Sequence, residues 1–219
     1  MKANQYSAVD KVVTAVKTGI RFGRYVPGQR LIENDITSAL QVSRGTVRDA
    51  LRRLEAEGLV QFERYRGASI RKMSRRDIAE LNQVRAVLEG YAAAEAARNG
   101  TDEQRQRLLD IEKFWESEEA SLLDRYTEYN TAFHDLVVEM SSVRQLVPFI
   151  QQTNLSVFRL QFHFLLNDPQ RISLSRIEHR AVVEAITARD ARAADEAMRS
   201  HVNTSTRIIL GAPGEYFFE

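Results

Sequence analysis

Residues 43–58, Ser-Arg-Gly-Thr-Val-Arg-Asp-Ala-Leu-Arg-Arg-Leu-Glu-Ala-Glu-Gly, limit what this chain can fold into more than any other stretch. Ser43 stands where an N-cap accepts a hydrogen bond from a first-turn N–H, and Gly58 stands where a helix commonly stops. Val47, Leu51 and Leu54 recur at i, i+4 and i+7, which defines one buried face. Arg44 and Arg48 sit one turn apart on the other face, at the end where a helix enters a major groove. Alone, such a stretch is an ordinary amphipathic surface helix. Its flanks change the reading. Leu31 to Leu40 predicts a shorter helix with Ile32, Ile36 and Leu40 inward, and Gln41-Val42-Ser43 is a connection of helix-turn-helix length. Leu59 to Glu63 alternates like a strand, Tyr65-Arg66-Gly67 turns, and Ser69-Ile70-Arg71 returns, which makes a small β-hairpin wing with arginines at its tip.

The distribution of charge agrees. Residues 1–76 hold 16 Lys+Arg against 7 Asp+Glu, whereas the rest of the chain holds 15 against 23, so a net charge of +1 conceals a basic module joined to an acidic one. The basic module suits a phosphate backbone; the acidic one is repelled by it. No run approaches the ~20 apolar residues of a membrane span, and no signal-peptide core is present, so a cytoplasmic protein without a membrane partner is expected. With no cysteine, disulfides and thiolate metal sites are excluded.

Beyond the short basic junction Lys72 to Arg76, the pattern is helical almost to the end. Six helices are expected, at about 75–98, 102–119, 121–140, 143–166, 170–188 and 190–210. The fold class is therefore mainly α: a winged helix-turn-helix domain at 1–73 and an all-α bundle at 74–219. Asn130 and His134 lie four residues apart on one helical face, His179 falls on the fifth expected helix and His201 on the sixth. Three imidazoles and an amide oxygen from three helices can converge on a divalent ion. By spacing alone, scattered and individually satisfied histidines remain the alternative. Arg85 and Glu89 are four apart, either a surface ion pair or a guanidinium free to clamp a carboxylate. His163 reads as an ordinary helix histidine, and Trp115, Met140 and the phenylalanines of 158–164 as core or pocket wall.

Several of these motifs occur together and in order. Pro27-Gly28-Gln29-Arg30-Leu31, Val42-Ser43-Arg44, Val47-Arg48-Asp49-Ala50-Leu51, Leu54 to Val60 and Arg66-Gly67-Ala68 together resemble the winged helix of GntR-family bacterial transcription regulators. Thr46 stands where that family often has proline, and Asn34 where some members carry a DNA-contacting arginine. We assign the contacts to double-stranded operator DNA to Ser43, Arg44, Thr46, Arg48, Arg66 and Gly67. Arg85 with Glu89, Phe133-His134, Glu178-His179 and the final His201 resemble the C-terminal FCD-type domain of the FadR branch, in its shorter six-helix form. That resemblance implies a metal held by Asn130, His134, His179 and His201, and a small organic acid completing the site with Arg85 as clamp. Asn130 stands where many members have Asp, which removes one negative charge. Three imidazoles suit zinc or nickel. The expected function is a homodimeric, metabolite-responsive DNA-binding regulator, not an enzyme. The rival is a metal-dependent hydrolase, for which Glu178 points about 100 degrees from His179 on a regular helix.

Overall fold

The computed structural model describes residues 7–21, 24–116, 123–152 and 168–218. Its elements in chain order are α1 (Ala8–Arg21), α2 (Glu33–Leu40), α3 (Arg44–Ala56), β1 (Val60–Glu63), β2 (Gly67–Ile70), α4 (Arg75–Asn99), α5 (Asp102–Glu116), α6 (Leu123–Met140), α7 (Leu146–Gln152), α8 (Pro169–Thr187) and α9 (Ala191–Leu210). A final 3₁₀ turn spans Gly214–Tyr216. The chain divides at Arg75 into two compact units, with the tail from Pro213 belonging to the first.

The first unit is built on the stripe of α3. Val47, Ala50, Leu51 and Leu54 are fully buried, and they pack with Val12, Val13, Val16 and Ile20 of α1 and with Leu59, Val60 and Ile70 of the hairpin. Helix α1 is absent from the sequence reading, although its apolar residues carry the helical spacing. Lys17 Nζ lies 2.6 Å from Glu57 Oε2 and Arg53 Nη1 2.7 Å from Asp10 Oδ1, so ion pairs flank the apolar seam between α1 and α3. The strands pair antiparallel, Val60 opposite Ile70 and Glu63 opposite Gly67. The segment before α2 joins them: Leu31 donates its N–H to Ala68 O, and Ile70 donates to Gln29 O. This pairing corrects the expectation that the second helix begins at Leu31. Leu31 is buried as an extended residue, α2 starts at Glu33, and Ile32, expected inward, is 51% exposed because the extended backbone turns it to the other side. Pro27-Gly28 makes the preceding turn, with Gly28 at φ 81°, a conformation that favours glycine.

The second unit is helical throughout its described residues. Thr101 and Gln104 form a reciprocal capping box at the start of α5. Asp168 and Asp190 cap α8 and α9 through their side chains, and Pro169 occupies the first turn of α8. The core gathers Ala86, Ala93, Ala96 and Ala97 of α4 with Phe133, Val137 and Met140 of α6, Val182 and Ile186 of α8, and Met198 and Val202 of α9. Alanine along α4 lets the neighbouring helices approach closely. The helix expected at 143–166 starts later, as α7 over Leu146–Gln152, because residues 143–145 form a turn, and the stretch beyond Gln152 lies outside the described residues.

The C-terminal tail returns to the first unit. Phe218 donates its N–H to Met73 O at 3.0 Å and bridges Ser74 in parallel, while the buried Phe217 ring carries the Arg75 guanidinium 4.0 Å above its centroid. Apolar burial and a cation–π contact thus act on the same two residues. Phe217→Ala is expected to cost about 3 kcal/mol of the stability of this contact. Amide hydrogen exchange at Phe218 should accelerate accordingly while exchange in α6 and α8 stays unchanged.

Candidate nucleic-acid interface and candidate metal centre

The exposed end of α3 is pinned before any ligand arrives. Ser43 Oγ accepts the Thr46 N–H at 3.1 Å and lies 2.9 Å from the Thr46 hydroxyl, so the cap fixes the first turn. Arg44 and Arg48 leave that turn on the outer face, as expected from their spacing. Arg48 is not a loose side chain: its Nε donates to Glu33 Oε2 of α2 at 2.9 Å. At the wing tip Tyr65 is 89% exposed at φ 65°, with Arg64 stacked 5.0 Å over its ring and Arg66 Nη1 3.2 Å from Glu63 Oε2. Gly67 follows at φ 80°. A left-handed tyrosine and, two residues on, a left-handed glycine turn the tip through a tight bend, and glycine removes the steric cost at its position.

In the helical unit the structure brings three expected histidines together. His134 of α6, His179 of α8 and His201 of α9 are all buried, with one nitrogen from each lying within 4.8 Å of the others. His179 Nε2 and His201 Nε2 are 3.2 Å apart. Asn130, one turn before His134, is buried too, with its Oδ1 3.5 Å from the Tyr126 hydroxyl, which itself donates to Ser175 Oγ at 2.6 Å.

Behind two of the imidazoles stand carboxylates that sequence reasoning did not assign to the site. Glu89 Oε2 lies 2.6 Å from His134 Nδ1, and its other oxygen accepts from Arg85 Nε at 2.6 Å. Glu178 Oε2 lies 2.9 Å from His201 Nδ1 and 3.0 Å from Arg171 Nη1, and Arg171 also donates to Ser205 Oγ. Two Arg–Glu–His chains therefore converge on one buried spot. The Arg85–Glu89 pair is 3% and 2% exposed, so it is a buried ion pair, not the surface pair its spacing suggested. Burial favours the protonated form of Glu89, but the charges of Arg85 and His134 overcome it and hold the carboxyl well below its usual range. Glu178 follows the same logic: burial opposes ionisation, and the hydrogen bond from His201 with the charge of Arg171 outweighs it. Burial pushes His201 down, Glu178 partly offsets this, and the charges of Arg171 and Arg85 push it further toward the neutral form.

A carboxylate on Nδ1 leaves Nε2 as the lone-pair face, and a neutral imidazole held this way is a metal ligand in waiting. The donor set fits a borderline ion: nitrogen-rich, buried and from three rigid helices.

Comparison with known proteins covers both units. Residues 8–70 match the bacterial regulatory proteins of the gntR family, and residues 80–204 match the FCD domain. The HTH-type transcriptional regulator BphR of Paraburkholderia xenovorans (strain LB400) is 27% identical over 214 residues, 94% of this chain and 87% of that protein. The galactonate operon transcriptional repressor of Escherichia coli (strain K12) is 27% identical over 226 residues, 91% of this chain and 96% of that one. Among solved structures, E. coli McbR/YncC superposes with a TM-score of 0.73 at 22% identity, covering 93% of this chain and 97% of that chain. A GntR regulator from Rhodococcus sp. RHA1 gives a TM-score of 0.72 at 24% identity, covering 94% and 99%.

The paired charges carry a stability consequence that needs no ligand. Glu89→Ala leaves Arg85 buried without its carboxylate and is expected to cost about 3–5 kcal/mol in urea unfolding. The double variant Arg85→Met with Glu89→Leu, which removes both charges, should cost far less.

Proposed function

The chain belongs to the GntR family of bacterial regulatory proteins and carries its FCD domain, and from that premise we propose that it is a regulator whose hold on operator DNA is set by a small organic acid bound beside a metal. Its family and relatives are transcription regulators, not enzymes. The observation that carries the metal reading is the convergence of His134, His179 and His201, buried and backed by Glu89 and Glu178. Asn130 serves as a fourth, weaker ligand on the same helix face as His134. Zinc or nickel suits this set better than magnesium or calcium, which prefer oxygen. When bound, the ion supplies a positive centre to which a carboxylate is drawn. The chain's own residues supply the rest: the helices exclude water, and Arg85 offers its guanidinium.

Arg85 as the effector clamp is supported by its geometry. Its Nε is held by Glu89, which leaves the fork of the guanidinium to take a carboxylate by two parallel hydrogen bonds. Its charge also acts on His201, as a group beside the imidazole cluster must. One relative is the repressor of an operon named for galactonate, a sugar acid, which agrees with an organic-acid effector. The hydrolase alternative has less support, because the Glu178 carboxylate is occupied behind His201 and is not poised as a general base.

A dimer completes the reading, since two modules reading two half-sites multiply a modest affinity. Val84, Val87 and Tyr91 form an exposed apolar stripe on α4, with Leu88 half-buried beside them, and we assign this stripe to the partner subunit. No described helix is long and apolar enough to cross a membrane.

Arg44→Ala and Arg48→Ala should each weaken operator binding sharply in a gel shift, leaving a residual measurable at low salt, while helix content and the melting transition hold, because both side chains leave an exposed face. Arg66→Ala should weaken binding evenly across sequences and reduce the salt slope by about one, as expected for a phosphate contact. His179→Ala or His201→Ala should lower metal content by elemental analysis and remove the effector's influence on DNA affinity, leaving effector-free DNA binding intact. Asn130→Asp should tighten the metal. Metal content unchanged when all three histidines are replaced would falsify the metal reading.

A further inference from the structure

The contact between Arg48 and Glu33 joins the two helices of the helix-turn-helix on their outer side. Glu33 opens α2 and Arg48 lies in the second turn of α3, fifteen residues later, yet Nε and Oε2 are 2.9 Å apart. Glu33 is well placed to hold position. Its backbone carbonyl accepts from Thr37 Oγ1 at 2.7 Å, and a carboxylate in the first turn of a helix is favoured by the helix dipole. Arg48 remains exposed beyond the contact. Arg44, one turn earlier on the same face, makes no ion pair with the described residues. The two arginines of the recognition helix therefore differ in kind: one is buttressed and the other is free.

A guanidinium has two hydrogen-bonding edges. When Nε is taken from the side, the outer edge of Nη1 and Nη2 remains, and this is the edge that pairs with guanine O6 and N7. Fixing the side chain beforehand removes rotamer freedom that would otherwise be lost on binding. A carboxylate close to DNA also repels phosphate, so it lowers affinity for every sequence alike. A residue with these two effects raises discrimination by the first and lowers general affinity by the second.

We propose that Glu33 is a positioning residue for sequence readout: it aims Arg48 at a guanine edge, while its charge lowers affinity for DNA of any sequence. The proposal rests on the reading of Arg48 as a base contact. It assigns the buttressed Arg48 to base recognition and the free Arg44 to adaptable contacts with base or phosphate.

The test uses the full chain and a duplex recovered from a randomised library by selection with that chain. Single-base variants of the duplex first identify the position whose preference disappears in Arg48→Ala. At that position Glu33→Ala should lower discrimination about tenfold, the scale of one bidentate base contact. Affinity for random-sequence duplex should stay equal or rise, and the melting transition should not move. Glu33→Gln, which keeps an acceptor without the charge, should restore part of the discrimination. In an Arg48→Ala background Glu33→Ala should change nothing further at that position. Full discrimination in Glu33→Ala overturns the proposal, as does an equal loss of specific and random binding with a lowered melting transition. If Arg48→Ala leaves every base preference intact, the base-contact reading of Arg48 fails instead.

Discussion

The helical unit depends on charge that is buried in pairs. Arg85, Glu89, Arg171 and Glu178 carry two positive and two negative charges, so the two pairs balance each other. Single buried charges are costly, whereas a paired and hydrogen-bonded set is tolerated. The balance decides what the centre can accept. In the proposed reading, a divalent cation there would add charge that the two pairs do not cancel, and an anion would offset it. The arrangement that lets α4, α6, α8 and α9 pack around polar atoms is also the one that brings the three imidazoles together.

The DNA-binding unit follows a different rule. Its core is apolar and its charges lie outside, tied in ion pairs between α1 and α3 and between α2 and α3. Exposed pairs of this kind add little stability. What they contribute is fixed placement of side chains on the outside of the unit.

Much of this was legible in the sequence, for physical reasons that differ by element. The α3 stripe, its Ser43 cap and the turn at Gly67 are local, so residue type and spacing were enough to find them. The three histidines could be named, and their convergence on one spot is a tertiary fact consistent with that naming. The start of α2 was misread because Leu31 satisfies a helical period while its N–H is taken by Ala68, a partner 37 residues away. Helix α1 is just as local: Val12, Val16 and Ile20 carry the helical spacing, and Ser7 with Asp10 forms a reciprocal cap at its start. Glu89 and Glu178 were hardest to place. Glu89 looked like half of a surface pair, and Glu178 was judged by its angle from its neighbour His179, when the imidazole it touches is His201, 23 residues on. Only packing reveals such contacts.

The return of the tail to Met73 and Ser74 bears on the order in which the protein is made. A ribosome releases the winged helix before the segment that completes its junction, with the helical unit synthesised in between. Until Phe217 and Phe218 emerge, the backbone carbonyl of Met73 and the face of the Arg75 guanidinium await the partners seen in the finished fold. The nascent DNA-binding unit therefore spends the synthesis of some 140 residues with its exit segment unfastened, and the clasp closes only after the helical unit has been made.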